Sequence, residues 1–185
     1  QATQIESGGL TVGSITDDYD AVARYPNVGY PENPSFPATA PDIGADEFAG
    51  IPADLTGPSI SYTVISNSSS TGNRSLTATI TDAAGVQTGA NGPRLYYKKS
   101  TDLSYIFDNA PSVAGNDYTF TLNTTTLGGV VTGTIIQYYV AAQDSNANVA
   151  TSPAGGSGVN PPGTTAPVLP NSYTVTPVLI GTYTV

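Results

Sequence analysis

The sequence predicts an all-β fold: an immunoglobulin-like β-sandwich of about seven strands, with extended Pro/Gly-rich arms at both ends. Three observations predict it. From residue 59 onward, short segments rich in Thr, Val, Ile and Tyr alternate apolar and polar side chains, the period of a half-buried strand. Polar turn sequences separate these segments at close spacing. No window carries a helical period with caps.

Each element follows in order. "SISYTVIS" (59–66) alternates, and "SLTATITD" (75–82) places Leu76, Ala78 and Ile80 on one face and Thr on the other. "PRLYYKKS" (93–100), "SYIFDN" (104–109), "DYTFTLN" (117–123), "GTIIQYYVAAQD" (133–144) and "NVATSP" (148–153) complete the set. Between them lie "SSSTGN", "DAAGVQTGANG", "SVAGND", "LGG" and "DSNAN", all turn chemistry. The set spans roughly 95 residues, the size of an immunoglobulin-like sandwich.

The sandwich therefore occupies residues 56–153. Residues 1–55 form an extended arm: Pro at 26, 31, 34, 37, 41 and 52 removes donors and blocks both helix and central strand, and only "LTVGSIT" alternates. Residues 154–172 read as a Pro/Gly linker. Residues 173–185, "YTVTPVLIGTYTV", are strand-like again. With seven strands already assigned, this segment has no evident partner in the sandwich, and an unpaired apolar strand seeks one. Val178, Leu179, Ile180, Tyr183 and Val185 are the residues it would present to another copy.

Composition excludes much chemistry. Cys, His, Met and Trp are absent, which removes thiol and imidazole nucleophiles, Ser-His-Asp triads and His- or thiolate-bound metals. The formal charge is -9, and only Arg24, Arg74, Arg94, Lys98 and Lys99 are basic. A phosphate backbone needs a basic surface, so nucleic acid is not an expected partner. No apolar run approaches the ~20 residues of a membrane helix. Freedom from oxidisable Cys and Met suits long exposure outside a cell. With no Cys to form disulfides, composition neither implies nor bars a secreted location.

Three constellations could carry chemistry. "TDDYD" (16–20) and "PDIGADE" (41–47) gather acids that could pair as a glycosidase acid and base, hold Ca2+, or simply stand in turns. Asp82 and Asp144 follow the second and sixth strands. Their loops fall at one end of an immunoglobulin-like sandwich, where Asp82, Asp144, Asn146 and Asn148 could supply hard oxygens to Ca2+, the one candidate cofactor, or form Asx turns. The third is aromatic: 12 Tyr stand against 4 Phe. "LYYKKS" and "QYYVA" send successive Tyr to opposite faces, so about half should lie outside the core. Exposed Tyr can stack on sugars or serve an interface.

"TDDYDAVAR…APDIGADEFAG" resembles the closing segment of right-handed parallel β-helix domains in secreted proteins of Bacteroidetes and Ignavibacteria-type bacteria. "NRSLTATITDAAGV", "LYYK" and "YYVAAQDSNANVA" resemble the immunoglobulin-like domain that follows such helices, and "LIGTYTV" resembles the first strand of a further one. The resemblance implies a piece of a larger modular surface protein, with the acids of "PDIGADEF" as a structural terminus. The body of the β-helix is missing, so no lyase activity carries over. The expected function is a non-enzymatic extracellular structural protein, a filament subunit joined to other copies of itself by strand exchange. The alternative is a carbohydrate-binding or adhesion module of a secreted protein that acts on polysaccharide.

Overall fold

Alternation along one strand decides what the sandwich buries. In Arg74–Thr81, Leu76, Ala78 and Ile80 are buried while Ser75, Thr77, Thr79 and Thr81 are exposed, as a period of two requires. The structure is a computed structural model and describes residues 2–3, 14–19, 21, 44, 51–52, 54–110 and 112–178. The chain divides into two units, Gln1–Thr56 and Gly57–Val185. In the first, β1 (Ala2–Thr3) and β2 (Ile51–Pro52) pair in parallel. Most of the Pro-rich arm and of "PDIGADEF" lies outside the described residues.

The second unit is all-β, with two antiparallel sheets. One runs β3 (Ser59–Tyr62), β4 (Arg74–Thr81), β8 (Asp117–Leu122), β7 (Ser112–Ala114). The other runs β10 (Val149–Ser152), β9 (Ile135–Gln143), β5 (Arg94–Lys99), β6 (Ile106–Asp108), with β11 (Asn171–Thr174) also on β9. This is the strand order of an immunoglobulin-type sandwich. All seven expected strands are present. The core between the sheets holds Ile80, Leu95, Phe120, Leu122, Ile136, Tyr138 and Val140, each at most 1% exposed. Burying each contributes about 1.5–3 kcal/mol. On the solvent face of β4 and β8, Thr77 and Thr119 share a 2.9 Å hydroxyl hydrogen bond and Thr79 Oγ1 donates to Asp117 at 2.6 Å. Among the described residues no helix is long and apolar enough to cross a membrane.

Three differences from the sequence reading have physical causes. The first strand stops at Tyr62 rather than 66, because the chain then crosses to the other sheet. There Ser68 bridges Val175 in parallel, donating to Thr174 O at 3.3 Å and accepting from Thr176 N at 2.9 Å. Residues 112–114, read as a turn, form the edge strand β7. The third difference is a correction: residues 171–175 do have a partner in the sandwich. β10 covers only Val140–Gln143 of β9, which leaves Ile135–Tyr138 with an open edge, and β11 fills it. Tyr173 and Val175 are buried as a result.

Candidate functional site: an aromatic cleft and an acidic loop pair

β10 and β11 are two halves of one edge strand. Ser152 pairs with Val140 and Asn171 with Tyr138, so Tyr139 alone faces the gap between them. Residues 153–170, most of the 154–172 segment read from composition as a linker, leave through this gap and fold back over the outer face of the sheet. A small two-bond ladder joins Ser157 and Thr165, at 2.9 and 2.8 Å. Gln143, 1% exposed, clasps Asn160 by accepting from its backbone N at 2.9 Å and donating to its Oδ1 at 2.8 Å. Tyr96 and Tyr139 hydroxyls donate to the carbonyls of Pro162 and Gly163 at 2.9 and 2.8 Å.

The alternation of Tyr comes out as expected: Tyr97 and Tyr138 enter the core, whereas Tyr96 and Tyr139 lie on the outer face. Exposure does not follow, because the insertion covers them and leaves Tyr96 6% and Tyr139 1% exposed. Register supplies the rest of the array. Phe107 stands opposite Tyr96, and Tyr96 opposite Tyr139, making one aromatic row across β6, β5 and β9. Tyr96 and Tyr139 stack with centroids 4.9 Å apart, and Tyr105 meets Tyr139 edge-on at 5.0 Å, favourable geometries for aromatic pairs. Burial, then the neighbouring Tyr96 and Tyr105, hold the Tyr139 hydroxyl neutral well above its ordinary range.

The insertion and the β5–β6 turn wall a cleft of about 640 Å3, within the ~300–1,000 Å3 range of small-ligand sites. Tyr96 and Tyr139 form its floor, while Ser104, Thr164 and Thr165 bring hydroxyls to its rim. Phe107 is 47% exposed, and the Arg94 guanidinium lies 4.2 Å above its ring. The sequence reading missed Arg94 and Phe107. The signal was there: residues 94, 96 and 98 share one face by period two, but their neighbours depend on register.

Gly163 sets how closely the insertion docks. Its φ is +75°, and a Cβ would sit 2.2 Å from Ala141 Cβ. Gly163→Ala is expected to cost about 2–4 kcal/mol from overpacking and left-handed strain together, read by urea unfolding. A loss below about 1 kcal/mol would mean that the insertion is not held against the sheet.

The acidic loops do converge. Asp82 and Asp144 bring carboxylate oxygens within 4.8 Å of one another. Val86 bridges Asp144, and Ser145 N donates to Gly85 O at 3.1 Å, which ties the two loops together. Asp144 is 0% exposed. Its Oδ1 accepts from Asn146 N and Asn148 N at 2.9 and 2.8 Å, and its Oδ2 from Asn148 Nδ2 at 2.7 Å. Asp82 Oδ1 accepts from Ala84 N at 2.7 Å. These are Asx turns. Paired carboxylates are also the donors that suit a hard cation such as Ca2+, and Asn146 enters the arrangement through its backbone. In "TDDYD", Asp18 O accepts from Ala21 N at 3.2 Å and closes a turn. Of the expected polymerisation residues, Val178 is 69% exposed. Leu179, Ile180, Tyr183 and Val185 lie outside the described residues.

A scan against protein-family models gives no match, and a search of curated proteins finds no relative.

Proposed function

We propose that this protein is a non-enzymatic structural module of the extracellular space or cell surface, which joins copies of itself by strand sharing. The observation that carries this reading is the exit of the chain. After Val175 and the Thr176–Ser68 hydrogen bond the chain leaves the sheet, with Pro177 and Val178 exposed. The sequence then continues "LIGTYTV", a strand pattern by its residues, which lies outside the described residues. Among the described residues two short strands end the sheets and have no further neighbour: β7, with Val113 54% exposed, and β6. Addition to an edge supplies main-chain hydrogen bonds. Four or five buried apolar side chains add several kcal/mol at ~25 cal/mol per Å2, before ordering costs. A head-to-tail contact of this kind builds an open fibre when its rotation does not close.

The test is light scattering and electron microscopy of the full chain beside one lacking 178–185, a deletion that spares β11 and the Thr176 bond. The expected result is concentration-dependent filaments for the full chain and monomers for the truncated one. Monomers from both would refute strand sharing.

A second reading, a saccharide-binding or adhesion module, is favoured by the aromatic cleft. Aromatic rings beside a hydroxyl-bearing rim offer a sugar both a stacking surface and hydrogen-bond partners.

A further inference from the structure

We infer that the cleft between the insertion and the β5–β6 turn binds an anionic saccharide, with a uronate carboxylate at Arg94 and a sugar ring against Phe107 and Tyr105; this deepens, and rests on, the saccharide-binding reading. Charge is the first argument. The chain carries -9 with five basic residues, yet Arg94 lines this cleft and no acidic residue among the described ones does. Lys98 adds to the positive field from 5.1 Å over the Tyr105 ring. The nearest acids in sequence are engaged elsewhere: Asp102 Oδ2 accepts from Lys99 N at 3.2 Å and Asp108 Oδ2 from Thr121 N at 2.8 Å.

The second argument is the state of the guanidinium. Nη2 donates to Ala90 O at 2.9 Å, but Nε is buried with no hydrogen-bond partner. A donor closed to water is closed to a ligand oxygen as well, so a ligand would meet the guanidinium at its Nη atoms. A carboxylate is the acceptor that best fits a guanidinium, by charge and by its two oxygens.

The third argument is the floor and rim. Tyr96 and Tyr139 are fixed by their hydroxyl bonds to the insertion, so the cleft is built without a ligand. Above them Phe107, 47% exposed, and Leu103, 99% exposed, present apolar surface beside the hydroxyls of Ser104, Thr164 and Thr165. A sugar ring has the same two-sided character, with C–H faces and a hydroxyl edge.

The experiment is calorimetric titration of the full chain with a short oligogalacturonate and with a neutral galactose oligomer of equal length. The expected result is binding of the acidic oligomer that weakens with salt, with the neutral one at least about tenfold weaker. Arg94→Gln should remove most of that preference and Phe107→Ala should weaken both ligands, each variant first checked for a native thermal transition. Equal binding of the two oligomers, or acidic binding untouched by both variants, would overturn the inference while saccharide binding stands. Silence with both oligomers would overturn the inference and the saccharide reading together.

Discussion

Replacing Asp144 by alanine is expected to cost the sandwich about 3 kcal/mol, because two backbone N–H groups and one amide lose their acceptor together. Asp144 is 0% exposed, and Asn146 N, Asn148 N and Asn148 Nδ2 all donate to its carboxylate. An unsatisfied buried donor costs about 1–3 kcal/mol. Water reaching the exposed Asn146 and the half-buried Asn148 recovers part of that loss, as does relief of repulsion from Asp82, within 4.8 Å. The net loss should lower the melting temperature by on the order of 10 °C, measured by circular dichroism. A change below about 1 kcal/mol would mean that the turn holds itself without the carboxylate. Asp82→Asn is the companion variant. We propose Ca2+ as the cation these loops would take: a melting temperature that rises with Ca2+ in the parent and not in this variant would assign it. Identical melting with and without Ca2+ in the parent would leave two Asx turns and no metal.

Alkaline solution above pH 10 is expected to destabilise the protein and then unfold it cooperatively. Burial is the main cause that raises the ionisation of Tyr97, Tyr138, Tyr139 and Tyr173 above the ordinary value of 10.0, with Arg74 pulling Tyr173 the other way. Folding therefore favours the neutral phenol. Below pH 10 both states are protonated and the contribution is complete. Above it the unfolded chain loses protons first, binds fewer than the native state, and stability falls as pH rises. Each such group removes at most about 1.4 kcal/mol per pH unit, and only while its native phenol stays protonated. Tyrosinate absorbance near 295 nm should rise together with the loss of far-ultraviolet dichroism. Titration of these four tyrosines near pH 10 with the fold intact would refute the burial argument. With no His in the chain, imidazole titration contributes nothing between pH 5 and 8.

The faces of the strands were legible in the residue order. Leu76, Ala78 and Ile80 are buried where alternation places them, and Tyr96 and Tyr97 point to opposite sides of β5. The turn residues marked the boundaries, and the loops of Asp82 and Asp144 meet at one end as the strand count implied. Half of the aromatic cleft was likewise readable, since alternation alone sends Tyr96 and Tyr139 outward.

What composition could not tell apart is a linker from a docked insertion, because Pro, Gly, Ser and Thr serve both. The difference lies in contacts made across the fold, such as Gln143 with Asn160 and Tyr139 with the Gly163 carbonyl. The partner of residues 171–175 was hidden for the same reason: it depends on how much of β9 is left uncovered by β10. Side-chain period is a property of one strand and survives in the residue order. Pairing, register and the covering of an outer face are long-range choices, settled by which edges and polar groups elsewhere in the chain remain unsatisfied, and only the tertiary structure decides them.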